Sequence, residues 1–205
     1  PQAQEGRDDL TDQSRSAGRQ ERLSHGESIT PSPFVVQWVP RIAADTSASP
    51  GSALDVAMGR GRHVTTLGAA GYTVYGVDVD LERVRDARAR AAHAACSLRA
   101  WCADLTVVPL PRERFDLVLV ARYLQRDLFS SLGAAVKPGG VVLYETFTVR
   151  QLRHGRGPTS GDHLLQPGEL ARGFESFDVL FYEECDEPEA VARVVARRPS
   201  GRRGT

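Results

Sequence analysis

The sequence predicts an α/β fold: a seven-stranded, mostly parallel sheet with helices on both faces and an antiparallel hairpin at its carboxyl end. Three observations predict it. Strand-like and helix-like runs alternate from Ala53 to Phe147 at the spacing of right-handed β-α-β units. Two of the strand runs, FDLVLVA from Phe115 and VVLYETF from Val141, are nearly continuous β-formers, as strands covered on both faces are. The last two strand runs are joined only by Glu184-Cys185-Asp186-Glu187-Pro188, too short for a crossover helix, so they must pair antiparallel.

The elements follow in order. Residues 1–30 are polar and nearly free of large apolar side chains, so a disordered arm is expected. Phe34, Val35, Trp38, Val39 and Ile42 recur at helical spacing and predict a short amphipathic helix that opens a domain running from 31 to 198. A small-residue linker with the turn Pro50-Gly51 leads to strands at Ala53–Val56, Thr73–Val77, Leu98–Trp101, Phe115–Val120 and Val141–Phe147. Helices are predicted at Arg62–Ala70, Leu81–Ala95 and Asp127–Val136, with Lys137-Pro138-Gly139-Gly140 turning the chain into the fifth strand. Asp80 suits the cap of the Leu81 helix. The Arg-, Gly- and His-rich stretch from Thr148 to Pro167 reads as a long binding loop or lid. A short helix from Pro167 to Phe174 and strands at Phe177–Glu183 and Ala190–Arg197 complete the domain, and 199–205 form a basic, flexible tail.

The chain has 205 residues, room for one domain of ordinary size. Its 26 basic and 26 acidic side chains balance, so no overall field draws it to nucleic acid or an anionic membrane. No apolar run approaches the ~20 residues of a membrane span. Three scattered cysteines form no metal-ligand pattern and suggest a reduced compartment. A cytoplasmic protein with no membrane partner and no bound metal is expected. Because the chain begins at Pro1, its natural start is expected to lie upstream.

The richest stretch is LDVAMGRGRHVTTLGAAGYTVYGVDVD, Leu54 to Asp80. A strand ends in Asp55, a Gly-x-Gly turn follows at Gly59 and Gly61, and the next strand ends in Asp78. Such a turn brings backbone amides close to a ligand, and a carboxylate closing the second strand lies where ribose hydroxyls would donate. A dinucleotide fingerprint needs a small residue where Val64 stands, and a P-loop needs a Gly-Lys-Ser/Thr that is absent.

Asp55, Gly59, Gly61 and Asp78 in this register resemble motifs I and II of the class I S-adenosylmethionine-dependent methyltransferases, a Rossmann-like fold. Ala103-Asp104-Leu105 resembles that family's adenine-contacting loop, FDLVLVARYL its fourth strand and AVKPGGVVLYETF its fifth. The resemblance runs from Phe34 to Arg197. Within the family the chain looks most like small bacterial methyltransferases related to tellurite-resistance proteins. Arg122-Tyr123-Leu124-Gln125-Arg126 stands where that subgroup has Asn-Tyr-Leu-His-Arg, and Pro167-Gly168-Glu169-Leu170 matches its helix start.

The resemblance implies S-adenosylmethionine as cofactor, with Asp55, Ala57, Gly59, Gly61, Asp78, Val79, Asp104, Leu105 and Ala121 around it. Asp55 would face the methionyl amine and Asp78 the sugar. Catalytic candidates near the ends of the fourth and fifth strands and in the long loop are Tyr123, Glu145, His154 and His163. Glu145 interrupts an apolar strand, as either a structural ion pair or a substrate contact. Tyr123 or Phe147 could turn a ring toward the sulfonium. The backbone of His63 is expected to matter more than its ring. The acceptor is expected to be a small molecule, and the protein a monomer or homodimer. Methylation of RNA or protein, and a catalytically inactive scaffold, remain as alternatives, the last on the ground that Arg122 puts a cation beside the methyl site.

Overall fold

The computed structural model describes residues 29–45 and 51–201. The arm, most of the linker and the end of the tail discussed above lie outside them. Helix α1 (Pro33–Ala44) precedes β1 (Ser52–Val56), α2 (Val64–Ala69), β2 (Thr73–Asp78), α3 (Leu81–His93) and β3 (Leu98–Cys102). Then come β4 (Phe115–Ala121), α4 (Phe129–Ala135), β5 (Val136–Phe147), α5 (Glu169–Gly173), β6 (Asp178–Cys185) and β7 (Val191–Arg197). The seven strands form one sheet in the order β3-β2-β1-β4-β5-β7-β6. All neighbours are parallel except β5–β7 and β6–β7, so the expected sheet and closing hairpin are both present. No helix among the described residues is long and apolar enough to cross a membrane.

Alternation along each strand divides the core. Leu117, Leu119 and Leu143 meet Phe34, Val39 and Leu67 of α1 and α2 on one face. Leu54, Val118 and Tyr144 meet Leu132, Leu170 and Phe174 on the other. The near-continuous apolar runs of β4 and β5 follow from this cover on both sides. The strand order turns outward in both directions from the β1–β4 pair, leaving a crevice at the carboxyl ends of the strands, where ligands of such sheets bind.

Three local expectations change. α2 is one residue short of two turns and opens at Val64, because 59–63 wind through the Gly turn first. The 126–128 segment is a separate 3₁₀ turn ahead of α4. Lys137 to Gly140 are strand rather than turn: Val136 pairs with Phe115 across a bulge, Gly139 N donates to Arg198 O at 2.9 Å, and Gly140 O accepts from Arg198 N at 2.8 Å. Two glycines permit the close approach that makes this possible. A Cβ on Gly140 would lie 2.9 Å from the Asp116 carbonyl oxygen and 2.8 Å from Val136 Cγ1. Backbone cannot yield there, so Gly140→Ala should lower unfolding free energy by about 1–3 kcal/mol, read as a lower thermal midpoint.

Candidate active site

The crevice is built from the ends of β1, β2 and β4. Asp55 on β1 is 1% exposed, and Asp78 at the end of β2 is 5% exposed. Burial of two carboxylates side by side with a glycine turn requires donors. Asp78 finds them in the backbone: its Oδ2 accepts from Gly59 N at 2.9 Å and its Oδ1 from Asp80 N at 2.9 Å. The turn is closed by Met58 N donating to Val77 O and Gly61 N donating to Met58 O, each at 3.0 Å. Gly59 and Gly61 both have positive φ, and so does Ala57 at 50°. Gly61 also carries α3 close behind it, since a Cβ there would touch Ala87 Cβ at 3.0 Å. Asp80 caps α3 as expected, accepting from Glu82 N and Arg83 N.

Asp78 therefore sits on the turn, and each of its oxygens keeps an acceptor site beyond the one in use. Asp55 Oδ2 is buried and has no hydrogen-bond partner among the described residues. An unpaired buried carboxylate oxygen is costly, and a hydrogen-bond donor is the partner it lacks. Val79, half exposed, and Leu105, half buried, flank the mouth. Asp104 stands in an exposed turn where its Oδ1 accepts from Thr106 N at 2.9 Å and Thr106 Oγ1 at 2.7 Å. Ala121 ends β4 and is buried. These residues fit an adenosyl ligand with an amino-acid tail.

His63 departs from expectation. Its ring is 2% exposed, and Nε2 accepts from Ser32 N at 3.4 Å. That leaves the proton on Nδ1, which faces Asp55 Oδ2 at 3.6 Å, beyond hydrogen-bond reach. Ser32 Oγ in turn donates to Glu145 Oε1 at 2.6 Å. Glu145 Oε2 accepts from Arg193 Nε at 2.6 Å, and Arg193 Nη1 reaches Glu183. Glu145, Arg193 and Glu183 are register partners across β5, β7 and β6, which places the charges in one row. A buried polar chain thus joins the glycine turn, the start of α1 and the last strands. Sequence reasoning missed Ser32 and Arg193. Only the charge within the apolar run at Glu145 hinted that a partner must exist.

The remaining candidates are spread around the rim. Tyr123 follows β4 half buried, its carbonyl accepting from Tyr144 Oη at 2.9 Å. His154 closes a 3₁₀ segment, Val149–His154, and His163 closes another, Gly161–His163. The long loop is folded, not a free lid. Gln151, fully buried, accepts from Ala190 N at 2.7 Å and donates to Arg156 O at 3.0 Å, while Leu164 and Leu165 are fully buried. Arg122 has φ 59°, and its guanidinium pairs with Glu189 and lies 5.4 Å from the centre of the Phe147 ring. The cation that spoke for an inactive scaffold is therefore paired with Glu189, and it covers the Phe147 ring proposed for the sulfonium.

Arg126 joins the two segments that carry the subgroup resemblance. Its Nε and Nη2 donate to the two oxygens of Glu169 at 2.5 and 3.0 Å, and its Nη2 also donates to Leu164 O. Burial pushes the Glu169 carboxyl up, but the Arg126 hydrogen bond, the Gln166 amide and nearby Arg charge outweigh it and hold it below its usual range. A carboxylate so depressed stabilises the fold above its unfolded pKa of about 4.3 and stops doing so as pH falls through its folded value. Glu169→Gln should therefore be less stable than the parent near neutrality, with the gap closing below about pH 4. Urea unfolding at stepped pH measures it.

Residues 53–140 match the model of a methyltransferase domain family. Over 107 residues the chain is 35% identical to an uncharacterised methyltransferase of Mycobacterium tuberculosis, covering 50% of this chain and 53% of that one. The chain thus spans about half the length of the curated relatives it matches. An S-adenosylmethionine-dependent methyltransferase from Clostridium acetobutylicum superposes with a TM-score of 0.68 at 12% identity, covering 91% of this chain and 99% of that one. TehB from Haemophilus influenzae superposes at 0.64 with 18% identity, covering 79% and 62%. Residues 53–140 accordingly resemble a methyltransferase domain in sequence, and the chain has the Rossmann-like fold that S-adenosylmethionine-dependent methyltransferases have.

Proposed function

We propose that this chain moves the methyl group of S-adenosylmethionine to a small-molecule acceptor, in the manner of the tellurite-resistance-like subgroup. The observation that carries the reading is the pair of buried carboxylates at the glycine turn, one engaged with its backbone and the other with an unpartnered oxygen. Asp78 takes the ribose hydroxyls, and Asp55 Oδ2 takes the methionyl ammonium. Val79, Asp104 and Leu105 border the adenine, while Ala57, Gly59, Gly61 and Ala121 give the backbone room to approach. When bound, the cofactor supplies a sulfonium methyl group that is already strongly electrophilic, so little covalent chemistry falls to the protein.

The chain's part is then to align an acceptor and exclude water. The folded loop from 148 to 167 and the start of α1 border the ends of β4 and β5, where that alignment takes place. Tyr123, His154 and His163 are the candidates for taking a proton, should the acceptor hold one at neutral pH. Glu145 serves as the anchor of Ser32 and Arg193. Incubation with methyl-labelled cofactor and a panel of thiols, selenium and tellurium oxyanions and phenols tests the reading. Labelled product from one class supports it, and none from any class overturns the small-molecule acceptor.

A further inference from the structure

A second concave surface lies away from the glycine turn, on the sheet face opposite α3. β3 and β4 are joined by 103–114 without a helix, although the chain there must cross β2 and β1. The sheet is therefore left partly bare on that side. Along β3, Ala100 packs down with Met58, Val84 and Ala87, so period-2 alternation sends Arg99 and Trp101 to the other face. There they stand beside Tyr75, with Phe115 as the buried floor and Pro109 and Pro111 as a wall. The groove has a volume of about 590 Å³, in the range of small-molecule sites.

The charge of its lining is all of one sign. Arg60, Arg83 and Arg85 on the neighbouring elements all have carboxylate partners. The three arginines lining the groove, Arg88, Arg99 and Arg114, have none among the described residues. Arg88 instead donates to the Ala100 carbonyl of the edge strand. Arg99 donates to the Tyr75 hydroxyl at 2.8 Å and lies 5.5 Å from the centre of its ring, and Arg114 faces the same oxygen. These contacts, the Arg99 hydrogen bond above all, hold the Tyr75 phenol below its usual pKa. Three cations without an anion among the described residues, set around the half-buried rings of Trp101 and Tyr75, ask for a ligand with both a flat ring and a negative charge.

We propose that this groove binds a planar aromatic anion, a carboxylate or phosphate on a ring, with the ring against Trp101 and Tyr75 and the charge between Arg99 and Arg114. The site is separate from the transfer crevice. Tyr75 precedes Asp78 by three residues, about 10 Å along the strand, and Phe115 opens β4 whereas Ala121 closes it. The two sites lie at opposite ends of β2 and β4, and the 103–111 loop borders both, with Asp104 and Leu105 at one end and Pro109 and Pro111 at the other. A second copy of the chain is disfavoured as occupant, because a self-paired face would set like charges together. An extended nucleic acid is disfavoured because the groove offers two rings and the whole chain is electrically balanced.

The test uses the full chain carrying Trp38→Phe, so that emission comes from Trp101. Titration with 4-nitrobenzoate should quench that emission saturably. The Arg99→Gln/Arg114→Gln double variant, with unchanged melting temperature, should bind about tenfold more weakly. Uncharged 4-nitrobenzamide should lose a similar factor, Arg85→Gln should bind as the parent does, and saturating S-adenosylhomocysteine should not displace the probe. Absent quenching, equal affinity in the double variant, or displacement by S-adenosylhomocysteine each overturns the proposal. So does tighter binding by a thymidine oligonucleotide, which would make the groove a single-strand site. A doubling of mass that abolishes quenching would make it a contact between copies. None of these readouts needs methyl transfer, so failure here is distinguishable from failure of the proposed function.

Discussion

Asp78→Asn is expected to weaken S-adenosylmethionine binding by about 10- to 100-fold, read by calorimetry. The size follows from charge-assisted hydrogen bonds at about 1.5–3 kcal/mol each, against the smaller worth of neutral ones. The carboxylate holds Gly59 N and Asp80 N through different oxygens. An amide has one acceptor oxygen, so one of those donors loses its partner and the ribose hydroxyls lose a charged acceptor. Asp80→Ala is the control. It removes the cap of α3 and about 1 kcal/mol of stability, yet it leaves the carboxylate at 78 in place and should leave cofactor affinity near the parent value. Equal loss of affinity in both variants would show that the turn's general order matters, not the carboxylate.

Glu145→Ala is expected to cost about 3 kcal/mol of stability, somewhat below a fully buried pair because Arg193 retains Glu183 and is about a quarter exposed. The thermal midpoint should fall by roughly 6–12 °C for a domain of this size. Ser32 would lose its acceptor as well, freeing the start of α1 from β5. Glu145→Gln should lose less, since its oxygen can still accept from Ser32 or Arg193. This variant pair separates the two readings that the sequence leaves open for Glu145. Large destabilisation with transfer surviving at low temperature supports the anchor. Unchanged stability with transfer abolished would instead make it a substrate contact.

The architecture was legible because its signals are local. Alternating strand and helix runs, the two apolar strands and the five-residue joint near 184–188 each report on neighbours in sequence, and the sheet order follows from connection rules. The placement of Asp55, Gly59, Gly61 and Asp78 was legible for the same reason: one β-α-β unit contains all four. The buried chain through His63 was not, because Ser32 meets His63 across 31 positions and Glu145 across 113. A histidine after a glycine turn reads as a backbone position until the start of α1 brings Ser32 to its ring. Lys137-Pro138-Gly139-Gly140 reads as a turn, yet Arg198, just past β7, pairs with its two glycines and draws it into the strand. The loop from 148 to 167 looked open because its order rests on one buried amide, Gln151, and on Leu164 and Leu165. Arg122 looked obstructive because Glu189, its partner, lies 67 residues on.

The most direct trial is a crystal structure of the full chain with S-adenosylhomocysteine. It should show the ribose hydroxyls on the Asp78 carboxylate and the amino group on Asp55 Oδ2, with His63 and Ser32 unmoved beneath. An adenosyl group bound elsewhere, or no binding at millimolar ligand, would contradict the account.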